Sequence, residues 1–365
     1  MASLAKGIPA VHNALLTNGF RLLPNLPNMP KPTVILSGFA DEAANQKTAL
    51  QQCVVFAALG LQYFSIRFID IGKGIKNAMQ LTKGEISDIR HLLNEYDLSI
   101  TSIGSPIGKV KLLDVEDGTK NRFVPFKKYL SSEVKHACDL AHAFETKLIR
   151  GFSFYHPKGS KPEEHLAQAV DQLGQIAEVC HRSDLTYGLE VEANLIGQNG
   201  HLMAELYRQV NHPAMMLIFD AANIVCQGYS TKETYEQYLA MKPALGWMHI
   251  KDYKTPKGLK KQAHVDEDAM RNFCPADQGD GGHEKILADF KTMIPALEKK
   301  LKKRGIPGVF LDLEPHVKGG GQYGGFSGPD GMGVALRGLQ RVLDKVGIEY
   351  HLRDFEDILA ARGKT

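Results

Sequence analysis

The chain has 365 residues, of which 43% are hydrophobic and 23% are charged. These values are ordinary for a folded globular protein, and they exclude a mostly disordered chain, a fibrous repeat and a small disulfide scaffold. The 44 basic and 41 acidic residues give a formal net charge of +3, without the basic excess of a nucleic-acid or membrane surface. We therefore expect neither a nucleic acid nor a membrane as a partner.

The cysteines indicate a reducing compartment. Five of them occur at widely separated positions, and none forms a CxxC pair. An odd, unpaired set is typical of reduced, mostly buried thiols in a cytosol-like environment. The sequence has no apolar run long enough for a membrane span and no evident signal peptide. A cytoplasmic location is the resulting expectation.

The chain begins with residues 1–31, whose proline-rich end, LLPNLPNMPKP, predicts an N-terminal arm or linker. Short apolar runs then alternate with longer helical patterns. The apolar runs are 33–40, 63–69, 98–104, 147–154, 186–192, 215–221, 246–252 and 308–314. The helical patterns are 43–59, 84–96, 125–144, 163–183, 199–210, 232–242, 283–304 and 330–346.

This alternation predicts a (β/α)8 TIM barrel over residues 32–350, because each run and its helix make one βα unit. The runs are nearly continuous in apolar character, as in parallel strands buried on both faces. An open doubly wound sheet is the alternative, but GFADEA after the first run lacks its glycine fingerprint. The long connections 105–124 and 253–282 are candidate lids, and 351–365 is a predicted C-terminal tail helix.

Polar residues end the last four predicted strands: Glu190, Asp220, His249 and Glu314. In a barrel such residues point into the mouth at the carboxyl ends of the strands. Three crowded carboxylates repel one another and are costly to bury, and a divalent cation would resolve both problems. Three oxygen ligands and one imidazole suit Mn²⁺, Mg²⁺ or Co²⁺, with Zn²⁺ also possible. The alternative is that each carboxylate caps a helix or pairs with a basic residue.

Glu192 competes with Glu190 for this role, because the two lie two residues apart and share a strand face. We favour Glu190, since it is embedded in the apolar run while Glu192 begins the following loop.

The motifs LEVEAN, FDAAN, HIKD and LEP, in this order, resemble the xylose isomerase-like TIM barrels of the sugar phosphate isomerase/epimerase family, over residues 33–346. That family includes ketose 3-epimerases and inosose dehydratases. The resemblance implies a Mn²⁺-type ion held by Glu190, Asp220, His249 and Glu314. It also implies that Glu190 and Glu314 move a proton next to a sugar carbonyl through a metal-stabilised enediolate.

The sequence departs from the epimerase pattern at two places. Asn223 stands where epimerases have a second histidine, and Lys251 and Asp252 follow the strand-seven histidine where epimerases have a glutamate and then an arginine. We interpret all three as substrate-binding candidates. Lys251 is a candidate proton donor or substrate clamp, with an ion pair to Asp280 or Glu314 as its alternative.

Other strand ends supply three further substrate-binding candidates: Arg67, Lys109 and His156. They suit hydroxyl groups or a phosphate. The alternative for His156, which precedes Pro157, is a packed loop residue. The glycine-rich segment 319–333 suits either a phosphate-binding loop at a helix N-terminus or a lid without a ligand.

The sequence thus predicts a metal-dependent sugar isomerase or epimerase, with a small sugar as partner and a homo-oligomer as an open possibility. The main alternative is a lyase or dehydratase on the same scaffold, acting as an inosose dehydratase or by elimination from oxidised glycosides. The sequence disfavours a type IV apurinic endonuclease, which would need more strand-end histidines and a basic DNA-binding face. It also disfavours a metal-free binding protein, which would not need the four predicted metal ligands.

Overall fold

A computed structural model of the protein describes residues 31–262, 264–266, 270–319 and 325–362. The predicted N-terminal arm lies outside the described residues except for Lys31. Among the residues that are described, no helix combines the length and apolar character needed to cross a membrane.

Eight parallel strands form the centre of the fold. They are β1 Thr33–Gly38, β2 Tyr63–Ile66, β3 Ser99–Ile107, β4 Leu148–Gly151, β5 Thr186–Glu190, β6 Met215–Asp220, β7 Leu245–Ile250 and β8 Phe310–Leu313. Their hydrogen-bonded order is β1-β8-β7-β6-β5-β4-β3-β2. A parallel bridge between Phe39 and Ser65 joins the two ends of this order, so the sheet closes into the predicted barrel.

Helices cover the outside of the strands. The longer ones are Ala49–Ala58, Lys83–Glu95, Lys135–Ala143, Leu166–Arg182, Gly200–Val210, Thr231–Met241, His283–Phe290, Ile294–Lys302 and Gly328–Val346. Shorter helices are Ala40–Ala43, Phe126–Tyr129 and Ala221–Val225. The helix Phe355–Arg362 lies in the predicted tail.

Two helical predictions were wrong in their bounds. The pattern 43–59 contains a break, because Thr48 adopts an extended conformation and caps a helix that begins only at Ala49. The pattern 283–304 contains two helices. Pro295, which has no backbone N–H and clashes with the preceding turn, starts the second one at its first turn instead of continuing the first.

Additional short strands lie on two of the connections. Phe68–Asp70 pairs antiparallel with Ile75–Asn77 after β2, and Asp252–Tyr253 pairs antiparallel with Phe273–Cys274 in the long connection after β7. The second pair gives the candidate lid 253–282 a fixed base next to the mouth.

The barrel strands are closely packed in the hydrophobic core. Every residue of β5 and β6 is buried, as expected for strands with the barrel interior on one side and helices on the other. Glycine is required at one close contact, since a Cβ on Gly188 would lie 2.0 Å from the Trp247 ring. The five cysteines are free thiols, and all except Cys274 are buried. The tight packing holds the carboxyl ends of the strands in place.

Candidate active site

The four strand-end residues predicted from the sequence meet at the mouth of the barrel: Glu190, Asp220, His249 and Glu314. One ligand atom from each lies within 4.8 Å of those of the other three, and all four residues are buried. Parallel pairing explains the meeting, because neighbouring strands end at the same edge and Asp220 is directly opposite His249 in the register. We call these residues the four-residue cluster.

Within the cluster the imidazole faces two carboxylates. His249 Nδ1 lies 2.9 Å from Glu190 Oε1 and 3.7 Å from Glu314 Oε2. Burial alone would lower the pKa of His249, but Glu190 and Glu314 raise it overall. Burial alone would raise the pKa of Glu190, but His249 and Arg150 lower it to about 2.

Two buried arginines each hold one oxygen of a cluster carboxylate. Arg67 Nη1 donates to Glu314 Oε1 at 2.6 Å, and Arg150 Nη1 donates to Glu190 Oε2 at 3.0 Å. The remaining oxygens, Glu314 Oε2 and Glu190 Oε1, are those nearest His249. The arginines therefore set which oxygen of each glutamate faces the centre of the cluster. The sequence patterns did not single out Arg150, although a charged residue inside an apolar strand was the available signal.

Lys251 adds an ammonium group to the cluster. Its Nζ lies 3.1 Å from Glu314 Oε2 and 3.2 Å from Asp220 Oδ2. Burial alone would lower the pKa of Lys251, but Asp220 and Glu314 raise it well above its usual range. The expected ion pair with Glu314 is present, whereas Asp280 pairs with Lys254 instead.

The cluster fits a divalent cation. Asp220 Oδ2 is buried and accepts no hydrogen bond from any described residue, although the Lys251 ammonium is near it. Burial and the charges of Glu190 and Glu314 raise the pKa of Asp220 to about 6, even with Lys251 beside it. A buried carboxylate oxygen that has only the Lys251 ammonium beside it, next to two further carboxylates and an imidazole, belongs to the type of donor set that holds such ions.

A cavity with about 470 Å³ of empty space opens onto the cluster. Its lining includes Glu190 and Glu314 and the basic residues Arg67, Lys109, Arg150 and Lys251. A concave pocket with several convergent polar groups is the usual form of a small-molecule site.

A comparison with known protein families identifies the family of the chain. A family model described as "Xylose isomerase-like TIM barrel" matches residues 54–342, which is more than half of the chain. The chain belongs to the xylose isomerase-like TIM barrel family. No curated protein sequence matches it significantly.

Solved structures of the xylose isomerase-like fold are similar to the chain at low sequence identity. A xylose isomerase-like TIM barrel protein from Mycobacterium smegmatis in complex with magnesium is 16% identical, covers 87% of this chain and 97% of that chain, and has a TM-score of 0.56. D-allulose 3-epimerase from Methylomonas sp. is 16% identical; the match covers 86% of this chain and 99% of the epimerase, with a TM-score of 0.53. The probable 3-DHS dehydratase AsbF from Bacillus anthracis is 15% identical, with 84% and 98% coverage and a TM-score of 0.54. At these identities the likeness shows the fold.

The substrate-binding candidates of this xylose isomerase-like barrel fall into two groups. Arg67, Lys109 and Lys251 line the cavity, and the Asn223 side chain donates to Glu190 Oε1 at 3.3 Å. His156 and Asp252 are not among the residues that line it.

The two outlying candidates are held by local contacts. His156 Nδ1 lies 3.1 Å from the Pro157 carbonyl, and burial lowers its pKa. Asp252 accepts hydrogen bonds from the backbone N–H groups of Tyr253 and Gly281, and it lies 3.1 Å from His283. Both residues follow strands of the barrel, but their side chains make these local contacts outside the cavity lining.

A second buried group adjoins the cluster and was not predicted. His316 Nδ1 lies 2.7 Å from Glu42 Oε1, and Arg67 Nη2 lies 3.2 Å from the same oxygen. Glu42, Glu314 and His316 also place ligand-type atoms within 4.8 Å of one another. GFADEA after the first strand was the available signal for Glu42. Of the predicted glycine-rich segment 319–333, residues 320–324 lie outside the described residues.

Proposed function

We propose that the chain is a divalent-metal-dependent sugar isomerase or epimerase that moves a proton on the carbon next to a carbonyl. The observation that carries this proposal is the pair Glu190 and Glu314. Each has one oxygen held by a buried arginine, and its other oxygen faces the centre of the cluster. Two positioned carboxylates are what proton removal and return require.

Glu190, Asp220, His249 and Glu314 would hold the ion, with Mn²⁺ preferred and Mg²⁺, Co²⁺ or Zn²⁺ as alternatives. When bound, such an ion polarises a carbonyl and thereby acidifies the neighbouring C–H. Glu190 would take the proton from carbon to give an enediolate. Glu314 would pass a proton from the adjacent Lys251 ammonium, 3.1 Å away, to the opposite face of that carbon. The reverse assignment of the two glutamates gives the reverse reaction.

Two other lining residues, Arg67 and Lys109, offer donors to hydroxyl oxygens of the sugar. Behind the lining, Asn223 keeps Glu190 in place through its amide. The relative from Methylomonas, named as a D-allulose epimerase, supports a sugar as the small-molecule partner. A homo-oligomer stays a prediction.

Lys251 favours one alternative, a dehydratase or lyase. Its ammonium lies 3.1 Å from Glu314 Oε2 and could protonate a leaving oxygen. A carboxylate would remove the proton next to the carbonyl, Lys251 would donate a proton to the hydroxyl or glycosidic oxygen one carbon further, and water or an alcohol would leave as the double bond forms. The similar fold of a protein named as a dehydratase supports keeping this candidate.

Incubation of the Mn²⁺-loaded chain with ketoses and oxidised glycosides in D2O tests the proposal. We expect deuterium on the carbon next to the carbonyl of recovered sugar, and loss of at least a thousandfold in rate in Glu314→Gln. Glu298→Gln changes a half-buried surface glutamate that is paired with Lys302 outside the cavity lining; it is the control and should keep full activity. Net loss of water or alcohol without deuterium in recovered substrate would select the lyase, and a fully active Glu314→Gln would reject both.

A further inference from the structure

The buried Glu192 and the half-buried Lys109 form an ion pair in the wall of the cavity. Lys109 Nζ donates to Glu192 Oε1 at 2.6 Å, and the two side chains are 15% and 3% exposed. Both line the same cavity as Glu190 and Glu314, but Glu192 does not belong to the four-residue cluster. Burying such a pair gains little net stability, because desolvation offsets most of the attraction. Its place in the cavity wall makes it a candidate for binding substrate.

The surroundings of the pair resemble a binding surface. The Lys109 ammonium lies 4.3 Å from the centre of the Phe152 ring, which also lines the cavity. Among the described residues, none donates a hydrogen bond to the second carboxylate oxygen of Glu192. An acceptor, a donor and an aromatic ring thus lie together beside the cluster, which is the combination that binds the hydroxyls and the apolar faces of a sugar ring.

We propose that Glu192 and Lys109 form a subsite for two neighbouring hydroxyl groups of an uncharged sugar. That the substrate is a sugar rests on the proposed function. The subsite adds that this sugar carries no charge, and it names the residues that bind two of its hydroxyl groups. Glu192 accepts a hydrogen bond from one hydroxyl, and Lys109 donates one to the oxygen of the next. The short spacing between the ammonium nitrogen and the carboxylate oxygen matches that of two adjacent oxygens in a diol.

The charges around the cavity explain why the sugar is uncharged. Each basic side chain that lines the cavity among the described residues is already paired with a carboxylate. The pairs are Arg67 with Glu314, Lys109 with Glu192, Arg150 with Glu190, and Lys251 with Asp220 and Glu314. A phosphate or carboxylate on the substrate would have to displace Glu192 from Lys109 and then lie beside its negative charge. Juxtaposed like charges of this kind select against the wrong ligand.

Binding of matched neutral and anionic ligands tests the subsite. The probes are ketohexoses and inositols, each beside its monophosphate, titrated calorimetrically into the full chain loaded with Mn²⁺. We expect at least one free sugar to bind, and its phosphate to bind at least about tenfold more weakly. Lys109→Met should weaken binding of the free sugar by about tenfold, and Glu192→Gln should reduce the preference for the free sugar over its phosphate.

Lys111→Met is the matched control. Lys111 is a second lysine on the loop after β3 and is paired with a carboxylate, Asp117, at 2.7 Å, but it does not line the cavity. Its replacement should leave sugar binding unchanged within about twofold. Tighter binding of the phosphates, equal effects of Lys109→Met and Lys111→Met, or no binding by any free sugar would overturn the subsite.

The same samples separate this inference from the proposed function. If deuterium exchange occurs but binding does not depend on Lys109, the subsite fails and the proposed function stands. If sugars bind in a Lys109-dependent way to a chain that takes up no metal and exchanges no deuterium, the subsite stands and the proposed function fails.

Discussion

Arg150 and Glu190 come from adjacent strands, and Arg150 Nη1 donates a hydrogen bond to Glu190 Oε2 at 3.0 Å where the barrel mouth begins. Both side chains are almost fully buried. The contact balances one of the negative charges of the cluster, and it leaves the other oxygen of Glu190 facing His249 and Asn223. The orientation of a central carboxylate therefore depends on a residue of the neighbouring strand that lies outside the recognised motifs of the sequence.

Removing this arginine should destabilise the protein. Arg150→Met leaves the Glu190 carboxylate buried without its partner, which typically lowers the free energy of unfolding by about 3 kcal/mol or more. Arg182→Met removes an exposed ion pair with Glu178 and should lower it by less than about 1 kcal/mol. Urea denaturation of both variants measures the difference. Equal, small effects would show that Arg150 does not stabilise Glu190.

Metal binding should stabilise the native chain. After treatment with a chelator, added Mn²⁺ should raise the melting temperature, because an ion at about 100 times its Kd adds about 2.7 kcal/mol to the free energy of unfolding. His249→Gln should abolish the rise, since it removes the imidazole of the cluster. His142→Gln, a change at an exposed histidine, should keep it. A melting temperature that Mn²⁺ does not change in the wild-type chain would contradict the metal site.

Two glycine-to-alanine substitutions should change the free energy of unfolding in opposite directions. Gly188→Ala places a methyl group 2.0 Å from the Trp247 ring in the barrel core and should lower the free energy of unfolding by about 1–3 kcal/mol or more. Gly174 lies in the helix Leu166–Arg182 with nothing within 4 Å of the added methyl, so Gly174→Ala should raise it by about 0.5–1 kcal/mol. Thermal and urea unfolding of the two variants checks both signs.

Glu85 should make a stability contribution that depends on pH. A hydrogen bond from Lys76, together with bonds from the Thr82 backbone and side chain, lowers the pKa of Glu85 from 4.5 to about 2. A folded pKa below the unfolded value stabilises the protein above pH 4.5, and this contribution disappears as the pH falls toward 2. At neutral pH the Glu85→Gln variant should therefore unfold at a lower urea concentration than the wild-type chain. The difference between the two urea midpoints should narrow below pH 4.5. Glu356→Gln, at an exposed residue of the terminal helix, provides the baseline. A difference in urea midpoint that stays constant across this pH range would contradict the lowered pKa of Glu85.

Local patterns were enough to predict the order of strands and helices. Buried parallel strands read as near-continuous apolar runs such as MMLIFD, and amphipathic helices such as Leu166–Arg182 show their own period, so both can be recognised without knowing what they pack against. The bounds were less accurate where one residue ended an element, as Thr48 and Pro295 did.

The sequence by itself determined the barrel and the placement of four polar residues at strand ends, because these follow from periodicity and from the rule that parallel strands end at one edge. The family was indicated by the resemblance of the four strand-end motifs. Only the tertiary structure decided what surrounds those residues. Arg150, Glu42 and His316 reach the cluster because the barrel closes and brings distant segments together, and no short-range pattern reports such contacts. His156 and Asp252 make local contacts outside the cavity lining, since a position after a strand does not set the direction of a side chain.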